Sequence, residues 1–158
     1  MDRIPEPQPM SVPGKPVIDI GCGSGILSIA ALKLGASRAV SVDIDAAAVK
    51  ATLENSLANG VDEKVETGPG SVEEVSSGNF SARHAPVVLA NILAPILIRL
   101  FESGMARLAA PGGVIILAGI LAEQGAGVRA AGEAQGLDFV EERHSGDWVA
   151  LVMRQPLT

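Results

Sequence analysis

Residues 17–34 place the tightest constraint on what this chain can fold into. The apolar run Val17-Ile18-Asp19-Ile20 leads directly into Gly21-Cys22-Gly23-Ser24-Gly25, and Ile26 to Leu34 then reads as a helix stopped at Gly35. A strand that turns through alternate glycines into a helix is the opening of a βαβ unit. Glycine lets the chain turn tightly there and brings backbone N–H groups against a ligand.

The rest of the chain keeps the alternation. Ala39-Val40-Ser41-Val42 reads as a second strand, followed by a helix from the N-cap candidate Asp45 to a stop at Asn59-Gly60. Val49, Leu53 and Leu57, four residues apart, are the expected apolar stripe of that helix. Lys64-Val65-Glu66 is a weak third strand, and the polar Gly68 to Arg83 is expected to be mostly loop. Val87 to Ala90 is a buried strand, and Pro95 opens a helix bearing Leu97, Leu100, Phe101 and Leu108. Pro111-Gly112-Gly113 is a turn before the strand Val114 to Leu117, and a helix runs from about Leu121 to Gln135-Gly136. Leu137 to Glu142 and Asp147 to Met153 form a hairpin about Ser145-Gly146. This order predicts a mostly parallel sheet with helices on both faces, right-handed crossovers and an antiparallel hairpin at one side. Ligands of such sheets sit at the carboxyl ends of the strands, beside the point where the strand order reverses.

Composition bounds the function. A chain of 158 residues supports one domain with one sizeable core. Residues 1–16 hold five prolines and are expected to be an irregular arm, leaving 17–158 as the domain. The net charge of −6, with three Phe, one Trp and no Tyr, lacks the basic footprint and stacking platforms of a nucleic-acid binder, so no direct nucleic-acid contact is expected. Cys22 stands alone and cannot form an internal disulfide. No apolar leader is visible, and the most apolar stretch, Val87 to Phe101, is interrupted by Asn91, Pro95 and Arg99. It falls short of the ~20 apolar residues of a membrane span, so a cytoplasmic location is expected. His84 and His144 have no partner at ligand spacing, so no metal site is expected.

Several residues carry candidate chemistry. A dinucleotide fingerprint needs glycine at its sixth place, but counting from Gly21 that place is Ile26. Glycines at 21, 23 and 25, with Asp19 two residues before the first, instead resemble the first motif of the S-adenosylmethionine-dependent methyltransferases. Asp43 ends the second strand and can accept from both ribose hydroxyls; the plain alternative is a helix cap, for which Asp45 is better placed. Asn91 ends the fourth strand. Its side-chain oxygen and a neighbouring carbonyl can hold an amine in line with a methyl donor; the alternative is a strand-end turn residue. Ser71 and Val72 follow the third strand and can flank adenine. Cys22 reads as a small packed residue, and Trp148 as core.

Taken in order, Ile18 to Ala31 with Lys33-Leu34-Gly35-Ala36, Val42-Asp43-Ile44-Asp45, Ala90-Asn91-Ile92-Leu93-Ala94, Gly119-Ile120-Leu121 and Trp148-Val149 resemble the methyltransferases that act on ribosomal protein eleven of the large subunit. The match covers about residues 17–154. It implies a Rossmann-like, seven-stranded fold and methylation of lysine and N-terminal amines of that protein, with S-adenosylmethionine as donor. An acidic enzyme suits such a basic substrate. The residues then expected around the donor are Asp19, Gly21, Cys22, Gly23, Gly25, Asp43, Ile44, Ser71, Val72 and Asn91, with Asn91 also facing the acceptor amine. Members of that family also carry a separate N-terminal recognition domain and a Gly-Thr-Gly-x-His-x-Thr-Thr-like segment before the first strand. Residues 1–16 show neither, so the chain reads as a truncated gene, a fragment or an isolated catalytic domain. Three functions stay open: methylation of the ribosomal protein, methylation of another amine substrate, and donor binding without turnover.

Overall fold

The hydrophobic runs assemble into a single sheet of seven strands, described over residues 12–158 by a computed structural model. In chain order the elements are β1 (Pro16–Ile20), α1 (Ile26–Lys33), β2 (Arg38–Asp43), α2 (Ala46–Ala58), β3 (Val65–Pro69), α3 (Val72–Ser76), β4 (Ala85–Asn91), α4 (Ala94–Glu102), β5 (Ala109–Leu121), α5 (Gly125–Ala134), β6 (Asp138–Ser145) and β7 (Trp148–Arg154). The strand order is β3-β2-β1-β4-β5-β7-β6. All pairs are parallel except β5–β7 and β6–β7. The chain lays strands outward from β1 to β3 and then crosses back to β4. The switch point therefore lies between β1 and β4, where the glycine loop and Asn91 emerge.

Side chains of each strand alternate between two cores. Ile18, Ile20, Val40, Val42 and Val88 face α3, α4 and α5, together with Val75, Leu97, Phe101 and Val128. Val17, Ala39, Val87 and Leu89 face α1, packing on Ala31 and Leu32. Burial on both sides accounts for the near-continuous apolar runs of these strands.

Several sequence expectations need correction. The stripe Val49, Leu53 and Leu57 does not face the sheet: Leu53 is 50% and Leu57 67% exposed, whereas Thr52 and Ser56 of the same helix are buried. Gly68 to Arg83 is not mostly loop, because β3 continues to Pro69 and α3 follows. Val72 and Val75 drive α3 into the core, and Glu74 turns back to accept from the Ser71 N–H at 2.7 Å, satisfying an orphan donor of the first turn. Lys64 belongs to a 3₁₀ turn, Asp62–Lys64, that precedes β3. Leu108 lies past the end of α4 in the 3₁₀ turn Met105–Leu108, and β5 begins at Ala109, with Pro111-Gly112-Gly113 inside it. Its pairing shifts between Ala85 and Val87, a bulge that absorbs those residues without ending the strand.

The helix near Leu121 starts as a 3₁₀ turn, Ala122–Gln124, and becomes α-helical from Gly125. Asp45 caps α2 as expected, its Oδ1 accepting from the Ala47 N–H at 2.9 Å. Residues 1–11 of the expected arm lie outside the described residues. Gly14 donates to the Gly35 carbonyl in a turn, and Pro16 opens β1. Among the described residues no helix is long and apolar enough to cross a membrane.

Candidate functional site

β1, β2, β4 and β5 deliver their carboxyl ends to one edge of the sheet. The loop after β1 places Gly21, Gly23 and Gly25 at φ of 70°, 54° and 83°, backbone that L side chains rarely adopt. Its polar groups are tied to β2 and α2. Cys22 N–H donates to the Val42 carbonyl at 2.9 Å, and Gly23 N–H donates to Asp43 Oδ2 at 3.0 Å. From α2, the Thr52 hydroxyl donates to the Gly23 carbonyl at 3.0 Å and the Asn55 amide to the Ser24 carbonyl at 2.8 Å. These duties explain why α2 turns a polar face inward.

Three cavities meet at this edge. The first, about 510 Å³, is walled by Gly21, Asp43, Ile44, Gly70 and Ser71 on one side and by Asn91, Ile92, Leu93, Ile96, Leu100, Gly119 and Trp148 on the other. The second, about 390 Å³, lies between Asn91, Ala118, Gly119 and Trp148 and the β6–β7 hairpin. The third, about 170 Å³, sits at the glycine loop and is lined by Asp19, Gly21 to Ser24, Ile26, Leu27 and Asn91. Asn91 borders all three. Among the described residues, no lysine or arginine lines the first or the third.

Gly119 makes the meeting of the cavities geometrically feasible. It sits at φ 78° where the β5–β7 pairing shifts between Leu117 and Ile120. A Cβ there would stand 2.7 Å from Asn91 Oδ1 and 3.0 Å from the Ile92 carbonyl oxygen. The bare backbone leaves the Asn91 amide its space.

Electrostatics set two residues apart. Asp19 is 1% exposed, and burial raises its carboxyl from 3.8 to about 6, with two hydrogen bonds from Ser28 opposing and the Asp43 charge adding a smaller rise. Burial likewise pushes the Cys22 thiol up to about 11, so it stays protonated and packs against Thr52. Asp43 takes one backbone N–H on each oxygen, from Gly23 and Asp45. A carboxylate has about four lone-pair sites, so both oxygens keep acceptor capacity toward the first cavity.

Of the residues expected at the site, Gly21, Asp43, Ile44, Ser71 and Asn91 line the first cavity, and Asp19, Cys22 and Gly23 the third. Gly25 and Val72 line neither. Gly25 caps α1 against Thr52, and the Val72 side chain is buried in the core. Trp148 is the clear correction: it is 51% exposed and divides the first cavity from the second. It begins β7, paired with Leu121 of β5 and Ser145 of β6. The reading of the sequence also missed Gly70, Ile92, Leu93, Ile96, Leu100 and Gly119. A signal existed for some: Ile92, Ile96 and Leu100 repeat every four residues beside the core stripe Leu97 and Phe101, so α4 carries two apolar faces.

The sequence profile described as ribosomal protein L11 methyltransferase (PrmA) matches residues 8–156. The ribosomal protein L11 methyltransferase of Pelobacter propionicus is 45% identical over 139 residues, covering 88% of this chain and 43% of that protein. That of Citrifermentans bemidjiense is 46% identical over 142 residues, covering 90% and 44%. The chain thus spans less than half the length of these curated relatives. Among solved structures, the ribosomal protein L11 methylase of Lactobacillus delbrueckii subsp. bulgaricus superposes with a TM-score of 0.80 at 28% identity, over 92% of this chain and 72% of that one. An RNA methyltransferase from Salinibacter ruber in complex with S-adenosyl-L-homocysteine shares the fold, with a TM-score of 0.68 at 19% identity over 91% of this chain and 82% of that one. The chain belongs to the ribosomal protein L11 methyltransferase family.

Proposed function

We propose that this domain binds S-adenosylmethionine across the first and third cavities and directs its methyl group to an amine of ribosomal protein L11. The observation that carries the reading is a glycine loop flanked by two carboxylates, Asp19 and Asp43, in cavities that no lysine or arginine among the described residues lines. Such a site has uncompensated negative charge and open acceptors. It suits a ligand with an ammonium, a sulfonium and a ribose, and it disfavours a pyrophosphate. Asp43 would take the ribose hydroxyls. Gly70, Ser71 and Ile44 would enclose the base, and the N–H groups at the start of α1 would receive the carboxylate.

When bound, the donor supplies an electrophilic methyl on a positively charged sulfur. The chain's own contribution is orientation. Asn91 Oδ1 accepts from a neutral amine and holds its lone pair toward the first cavity, so the reactive geometry is populated before the reaction. The second cavity, on the far side of Asn91, gives the amine its approach, with Trp148 as one wall. Ile92, just before α4, and the α4 residues Ile96 and Leu100 limit water around the centre.

Calorimetric titration with S-adenosylmethionine and with NAD tests the donor. Binding of the first and not the second is expected, and Asp43→Ala should weaken it by about 1–3 kcal/mol through loss of charged hydrogen bonds. Transfer of a radiolabelled methyl to purified L11 tests the acceptor. Tight NAD binding with no response to the methyl donor overturns the assignment, and donor binding without transfer restricts the domain to holding the donor.

A further inference from the structure

We infer that Ser28 and Ser41 are positioning residues of the donor site: together they hold the carboxylate of Asp19, which lines the loop cavity. The inference rests on the donor reading above but is built from a separate group of side chains. Asp19 on β1 lies opposite Ser41 on β2 in the parallel register, and both point to the α1 face of the sheet. Ser28 reaches down from α1 between them. All three are buried. The neighbouring strand positions on this face, Val17, Ala39 and Val87, are apolar, which is the ordinary filling beneath a helix. Three polar residues at one spot depart from that pattern.

Proton counting fixes the direction of the chain. The Ser28 hydroxyl donates to Asp19 Oδ2 at 2.7 Å, and an ionised carboxylate only accepts. Ser28 has no second proton, so the 2.6 Å contact between Ser28 and Ser41 must be Ser41 donating. Hydroxyls in series polarise one another, and each link strengthens the next. Oδ2 is held in this way, and the same Asp19 lines the cavity together with Gly21 to Ser24. The titratable groups around Asp19 are Asp43 from β2 and the neutral thiol of Cys22 from the loop, while β4 contributes Leu89. Among the described residues, no lysine, arginine or histidine lines the cavity. Ionisation of Asp19 is therefore favoured by the Ser28 hydroxyl and backbone bonds, the hydroxyl backed by Ser41, until a cationic ligand arrives. A ligand ammonium beside the carboxylate would favour the charged form, so binding should weaken as pH falls through about 6.

Carbon-detected NMR titration of the Asp19 carboxyl in the parent, Ser28→Ala and Ser41→Ala proteins tests the positioning role without any ligand. The expected order of midpoints is parent, then Ser41→Ala, then Ser28→Ala highest, with Ser28→Ala displaced upward by about one pH unit. Calorimetric titration of S-adenosylmethionine at pH 5.5 and 7.5 is the second readout. At pH 7.5 Ser28→Ala should bind on the order of tenfold more weakly and Ser41→Ala a few-fold more weakly. Coincident Asp19 titrations in all three proteins overturn the inference. A parent protein that binds no donor overturns the donor assignment instead, and the titrations still decide the role of the serines. If Ser28→Ala does not fold, Ser41→Ala, which leaves the Ser28–Asp19 bond in place, decides alone.

Discussion

The two faces of the sheet are built differently. Beneath α3, α4 and α5 the buried side chains form one apolar cluster that includes Ile18, Val40, Leu97, Phe101, Ile115 and Met153. Beneath α1 and α2 the apolar cluster is smaller, and among the described residues the buried polar side chains Asp19, Ser28, Ser41, Thr52 and Ser56 lie there. One face is held by area removed from water, the other by directional bonds. Hydrophobic packing tolerates small displacements, whereas a hydrogen-bonded chain specifies atomic positions. The side that anchors the glycine loop is the side with the bonds. The molecule thus divides its labour, with stability concentrated in the α4–α5 face and site geometry in the α1–α2 face.

The largest test of this division is Phe101→Ala. Phe101 is buried in the apolar cluster against Gly132 of α5, and its loss should destabilise the fold by about 3–5 kcal/mol in urea unfolding. Donor affinity of the remaining folded protein should hold; an equal loss of both would dissolve the distinction between the faces. Next comes Asn91→Ala at the edge the faces share. Single-turnover methyl transfer should fall about 10–1,000-fold while donor affinity changes only a few-fold. A collapse of donor binding would move Asn91 from the acceptor side into the donor shell.

Asp19→Asn addresses the bonded face itself. Asp19 titrates near 6 in the fold against an ordinary 3.8. Its contribution to stability is therefore full below about 3.8 and is lost as pH rises through about 6. That difference corresponds to roughly 2–3 kcal/mol. The asparagine variant should gain up to about that much over the parent between pH 4 and 7.5, while losing donor affinity. Parallel pH–stability curves for the two proteins would show that the bonded face carries no such strain. The smallest effect is expected from Leu57→Ala. On the outward face of α2 it should change stability by less than about 0.5 kcal/mol, whereas a core leucine would lose about 2–5 kcal/mol. A large loss would restore the stripe Val49, Leu53 and Leu57 as a packing face.

Much of the site was legible before the structure because its residues answer to local rules. Glycines that need left-handed backbone, an acid at a strand end and a cap at Asp45 depend on the few residues around them. What escaped was set by partners distant in sequence. Ile92, Ile96 and Leu100 have the same spacing as a core stripe, and Trp148 has the same apolar character as its strand neighbours. Whether such a residue lines a cavity or a core depends on what stands opposite.

The sequence by itself determined the βαβ order, the turn after β1 and the placing of Asp43 and Asn91 at strand ends, since strand and helix periods and glycine conformations are written in consecutive residues. Tertiary structure alone decided which face of α2 turns inward. The carbonyls of Gly23 and Ser24 need donors, Thr52 and Asn55 supply them, and the next residue along a helix points about 100° away, so Leu53 is carried toward solvent. It also decided that Ser28 would meet Asp19 and Ser41, and that Gly119 would leave room for Asn91. Those contacts join strands and helices 9 to 28 positions apart, and no periodicity in the chain encodes a meeting made by the fold.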